Sequence, residues 1–180
     1  MADAAAYIGV GSNIAPERHV PTALDALRAA FGEIVCSPAY RSPPLGFEGS
    51  DFINCVVRID SHLEVPDLIA RLKTLESRAG RQTRTAPGSR ELDLDLLLYD
   101  DRVIDLGAIR LPRPDVLDYA FVLRPLADLA PALVHPVTGR SLAWHWAHFE
   151  GDAVALTPVA LDNLDGAIQR KREEGEEWSG

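Results

Sequence analysis

Between Ala5 and Tyr99 the apolar residues switch repeatedly between strand and helix spacing, and the order of the switches leaves few folds. Ala5 to Gly11 is a short apolar run closed by Gly11-Ser12-Asn13, which reads as a buried strand and a turn. Pro16 to Phe31 lines up Val20, Leu24, Leu27 and Phe31 on one helix face, with Gly32 as its stop. Ile34 to Tyr40 reads as a second strand. Pro43-Pro44-Leu45-Gly46 then opens a loop, and Phe52 to Ile59, rich in β-branched residues, is a third strand. Val65 to Ala79 forms a second helix, Arg81 to Ser89 a loop, and Leu92 to Tyr99 a fourth strand. This β-α-β-β-α-β order predicts a ferredoxin-like α+β core, a mainly antiparallel sheet with helices packed on one face.

Beyond Tyr99 the pattern weakens. Val103-Ile104 and Ile109 to Leu111 read as short strands, and Pro112 and Pro114 force a turn. A helical stretch over Val116 to Leu129 is interrupted at Pro125, and Ser141 to Phe149 is a short helix. The end from residue 150 carries 8 acids and 3 bases and reads as frayed. One domain over residues 1–164 is expected, with 165–180 as a disordered acidic tail. Cys36 and Cys55 sit in apolar runs, as buried free thiols would. No signal peptide or membrane span is expected; the chain is read as cytoplasmic and, separately, as a monomer.

The formal net charge of −9 argues against coating nucleic acid, but it hides a sharp local pattern. Residues 71–90 hold six bases and one acid; residues 91–105 hold six acids and one base. Within the acidic stretch Asp93 and Asp95 alternate with leucines. Strand side chains at i and i+2 share a face, which puts the two carboxylates about 7 Å apart opposite a buried face of Leu92, Leu94, Leu96 and Leu98. Carboxylates suit Mg²⁺ shared with substrate phosphates, and neighbouring arginines suit phosphate oxygens. A solvated strand edge beside a solvated loop accounts for the same residues, and sequence physics leaves both readings open.

Other motifs are weaker. Gly9-Val10-Gly11-Ser12-Asn13 lacks the third glycine of a dinucleotide fingerprint and the lysine of a P-loop. His145 and His148 are flanked by Trp144 and Trp146, as in a packing helix.

Several segments resemble one family in its own order: Tyr7 to Asn13, Tyr40 to Gly46, Asp51 to Asn54, Glu76 with Gly80-Arg81, Gly88 to Leu98, and Ala120 to Leu126. Together they resemble the 6-hydroxymethyl-7,8-dihydropterin pyrophosphokinases of folate synthesis, from Tyr7 to about Pro136. The resemblance implies transfer of the β,γ-diphosphate of ATP to the pterin hydroxymethyl oxygen, leaving AMP. It implies two Mg²⁺ ions on Asp93 and Asp95, with Arg81 and Arg90 counted beside them as catalytic. The pterin would lie between Phe52 and Phe121, be read by Asn54, and touch the loop of Ser42, Pro43 and Leu45. Glu76, Arg81, Arg84, Arg90, Leu96 and Arg113 would bind ATP. The loops 43–50 and 81–90 would act as lids.

The chain departs from the family at three places. Its arginine loop reads Ala86-Pro87-Gly88-Ser89-Arg90 where the family commonly has Arg-Trp-Gly-Pro-Arg, Arg113 replaces a histidine, and Tyr119 replaces an arginine. A catalytically weakened paralogue that binds pterin or nucleotide is therefore the second expectation.

Overall fold

A computed structural model describes residues 3–79, 91–151 and 154–161. The first half follows the expected order: β1 (Ala4–Ser12), α1 (Pro16–Phe31), β2 (Ile34–Cys36), β3 (Ala39–Ser42), β4 (Phe52–Ser61), α2 (Val65–Arg78) and β5 (Asp93–Tyr99). Local chemistry sets the helix ends. Both helices carry proline in the first turn, where an amide has no partner to lose, and Gly32 takes φ 82° to close α1. The strands run β5-β1-β4-β3, with β2 also on β4, and every pairing is antiparallel.

The expected strand over 34–40 is two strands, because Pro38 has no amide to pair. Ser37 bridges the break: its amide donates to the Val56 carbonyl, and its hydroxyl oxygen accepts the Val56 amide, each at 2.8 Å.

Val20, Leu24 and Leu27 of α1 and Leu68 and Leu72 of α2 pack on Ile8, Val10, Ile53, Val57, Leu94 and Leu96 of the sheet. This is the helix-covered face the periodicity predicts. The opposite face is not bare. After the hairpin of β6 (Ile104–Leu106) and β7 (Ile109–Leu111) come α3 (Asp115–Asp118), α4 (Ala120–Leu129) and α5 (Leu142–Ala147). Leu123, Leu126 and Leu142 there cover Tyr7, Val56 and Leu98 in a second core. Helices on one face only is therefore corrected. Nor does α4 break at Pro125, whose buried ring sits inside a continuous helix. One missing hydrogen bond is offset by burial of the surrounding apolar surface.

The chain end also differs from expectation. Thr157–Val159 forms β8 on the free edge of β3, and Leu161 is buried. Residues 165–180 lie outside the described residues. Among the described residues no helix is long and apolar enough to cross a membrane. Cys36 and Cys55 are both buried free thiols, and burial raises the Cys36 pKa to about 11.

The His135 ring packs edge-on to that of His145 in α5, 5.7 Å between centroids. Burial first, then a neighbouring imidazole (His145 for His135, His148 for His145), holds both below the ordinary histidine pKa. The unfolded chain takes up these protons more readily. Their stabilising contribution is therefore complete above about pH 6.5 and is lost as pH falls through the depressed folded values. We expect the melting temperature to drop between about pH 7.5 and about pH 5.5, and the drop to shrink in His145→Gln.

Candidate active site

Strand register assembles the site. Gly11 of β1 lies opposite Asn54 of β4 on one side and Asp93 of β5 on the other. Gly9 lies in the same way between Val56 and Asp95. Adjacent strands are about 4.8 Å apart, so the Asn54 and Asp93 backbones stand about 10 Å apart across a residue with no side chain. A Cβ on Gly11 would meet Asn54 Oδ1 at 2.7 Å and push that amide aside, whereas one on Gly9 would only touch Leu97, at 3.4 Å. The two glycines make a floor.

Over this floor opens a cleft of about 280 Å³. Ser42, Pro43, Leu45, Phe52, Asn54 and Phe121 line it, and so do Asp93 and Asp95. Phe52 begins β4 directly opposite Ser42, and Asn54, two residues on, shares its face. Phe121 enters from α4, which is tied to the sheet where Tyr40 of β3 donates to Asp128 and Arg124 donates to both. Each aromatic is braced. Phe47 packs edge-on to Phe52 at 6.1 Å, and Tyr119 stacks on Phe121 at 5.2 Å and 12°. Tyr119 thus holds the Phe121 ring in place.

The acidic side is held by cations. Arg113 Nη1 donates to Asp95 Oδ1 at 3.2 Å, and Lys73 Nζ stands 3.8 Å from the same oxygen. Arg113 also donates through Nε and Nη2 to Asp115 Oδ2, at 3.1 and 2.8 Å. Burial disfavours the Arg113 charge, but Asp95 and then Asp115 outweigh it and raise its pKa above the usual guanidinium value. Asp93 and Asp95 fit a hard divalent ion: two carboxylates on one strand face, one of them already drawing two cations. Among the described residues no group of three or more His, Cys, Asp or Glu could hold a metal, so phosphate oxygens and water would complete its shell.

Two expected nucleotide residues are placed differently. Glu76 is fully buried on α2, where its Oε1 accepts the Leu94 amide at 2.7 Å and pairs with Lys73 at 2.8 Å. It braces the edge of β5 from below. The Leu96 side chain lies in the helix-covered core, away from the cleft. The expected leucine face also breaks: a bulge falls after Leu96, so Leu97 lines the cleft, Leu98 joins the second core and Tyr99 the first. Arg81, Arg84 and Arg90 lie outside the described residues. Sequence reasoning missed Gly9, Gly11, Phe47, Leu97 and Asp115 as site residues. The alternation Gly9-x-Gly11, with one face of a strand left bare, was the available signal.

Solved structures share the fold. A Plasmodium falciparum HPPK-DHPS triple mutant matches with TM-score 0.67 at 13% identity, over 82% of this chain and 44% of that chain. This chain thus spans less than half of that solved chain, and at this identity the likeness concerns fold alone. The sequence carries more. The pattern of the 7,8-dihydro-6-hydroxymethylpterin-pyrophosphokinase (HPPK) family matches residues 7–131. A 2-amino-4-hydroxy-6-hydroxymethyldihydropteridine pyrophosphokinase of Synechocystis sp. is 35% identical over 174 residues, covering 91% of this chain and 85% of that protein. Its namesake in Pseudomonas aeruginosa is 41% identical over 140 residues, 76% of this chain and 86% of that one. The fold therefore belongs to a ferredoxin-like diphosphotransferase, an enzyme of the kinase type. The chain is a member of the HPPK family, whose pyrophosphokinase activity serves folate biosynthesis.

Proposed function

We propose that this cleft performs the family reaction, with the pterin between Phe52 and Phe121 and the phosphates of ATP beside Asp93 and Asp95. The register row Asn54–Gly11–Asp93 carries the reading, because it sets an amide and a carboxylate at opposite ends of one side-chain-free floor. An amide offers both donor and acceptor to a pterin edge. Braced rings favour a flat heterocycle at little entropic cost. Ser42, Pro43 and Leu45 close the pterin side. Arg81, Arg84, Arg90 and Arg113 would supply positive charge for the phosphates, and Glu76 and Leu96 would support the nucleotide through the strand they hold or belong to.

The hydroxymethyl oxygen attacks the β-phosphorus in line and passes its proton to water. The bond from that phosphorus to the α,β-bridging oxygen breaks, and AMP leaves. Two Mg²⁺ on Asp93 and Asp95 would screen the phosphate charge when bound. Ligands are small molecules and not nucleic acid, and the reading is completed by a cytoplasmic monomer.

The test is AMP release from ATP, Mg²⁺ and the hydroxymethyl-dihydropterin. Pterin binding without AMP would favour the weakened paralogue. Asn54→Ala is expected to weaken pterin binding by about 1–3 kcal/mol, the cost of polar groups left unpaired in a closed site. Calorimetry checks it, and unchanged affinity removes Asn54 from the site.

A further inference from the structure

Arg113 reaches two carboxylates that face the cleft, and its holds on them differ. Asp115 Oδ2 receives two of its donors, at 3.1 and 2.8 Å, whereas Asp95 Oδ1 receives one, at 3.2 Å. The backbone fixes the base of the side chain, since the Arg113 amide donates to the Leu97 carbonyl at 2.9 Å. Only Pro114 separates Arg113 from Asp115, so that grip is local and persists when Asp95 is lost. Lys73 Nζ stands 3.8 Å from the same Asp95 oxygen and is itself held by Glu76. Asp93 adds negative charge nearby.

A divalent ion on Asp95 would stand against the guanidinium at a range where like charges repel. The geometry points to Arg113 as an internal counter-ion: it neutralises Asp95 in the free protein and, when metal arrives with nucleotide, gives up that one bond while keeping its two on Asp115. Asp115 is then a positioning residue, a parking place for the displaced charge. The inference rests on the reading of Asp93 and Asp95 as the metal pair. Its consequence is that metal alone binds weakly, because it must first expel Arg113, and that metal and nucleotide bind together.

Mn²⁺ binding followed by electron paramagnetic resonance tests this, with and without α,β-methylene-ATP. Arg113→Met is expected to tighten nucleotide-free Mn²⁺ binding about 3- to 10-fold, the scale of a half-exposed ion pair removed together with its repulsion. Arg113→Lys, which keeps the charge but cannot span both carboxylates, falls between. Asp115→Asn is expected to weaken Mn²⁺ binding, because Arg113 then rests on Asp95 alone. In the Arg113→Met background the same Asp115→Asn change should have less than about a 2-fold effect. Unchanged or weaker binding in Arg113→Met overturns the inference, as does a full Asp115→Asn effect in the double variant. If the wild type binds no Mn²⁺ even with the nucleotide analogue, the metal reading itself fails. A metal site indifferent to Arg113 defeats the counter-ion role alone.

Discussion

Asp95→Ala is expected to lower AMP formation at least about a thousandfold, the several kcal/mol that metal-assisted charge screening supplies to phosphoryl transfer. The reason is the position of the carboxylate. It stands on β5 opposite Gly9, lines the cleft, and draws both Arg113 and Lys73 toward it. The fold should survive the change. The side chain is about a third exposed and belongs to neither apolar core, so its pairs stabilise little. Steady-state AMP release and thermal melting together decide the matter. Near-normal turnover would sink the assignment of Asp95, whereas a collapse in melting temperature would show a structural role instead.

Glu76→Ala should act in the opposite way, on stability before chemistry. The carboxylate is fully buried and accepts the Leu94 amide at 2.7 Å, between the two aspartates of β5. Among the described residues β5 is an outer strand of the sheet, and its outward Leu94 amide pairs with no strand. Removing the acceptor strands a buried donor and leaves a small cavity, at a cost of about 2–4 kcal/mol. Glu76→Gln keeps an acceptor oxygen and should cost less. Urea denaturation measures both. Equal stability of Glu76→Ala and wild type would show that β5 needs no brace. If Glu76 acts on catalysis only through β5, the activity of folded Glu76→Gln should stay close to that of the wild type.

Much of this was legible in one dimension because helix ends are local events. Pro16 in the first turn and Gly32 after the last residue mark α1 without reference to the rest of the chain. The alternation of Asp93 and Asp95 with leucine likewise declared a strand with one wet face. Leu96-Leu97-Leu98 carries no period, so a one-residue slip there is invisible in sequence, and the bulge that turns Leu97 into the cleft had to come from pairing with β1. Pro125 reads as a helix breaker on local grounds, yet α4 continues because its other face covers the sheet. Thr157–Val159 is too short to announce itself and carries Pro158 at its centre, and is a strand only because β3 presents a free edge.

The sequence by itself determined the order of the main strands and helices up to Tyr99, the two helix faces, the acid–base contrast around residue 90 and the family. Those depend on neighbours along the chain. Only the tertiary structure decided that Gly11 stands between Asn54 and Asp93, that Glu76 serves the strand, and that Arg113 is shared by Asp95 and Asp115. Each of these joins residues far apart in sequence or turns on side-chain direction, and strand register and packing settle both only after the chain has folded.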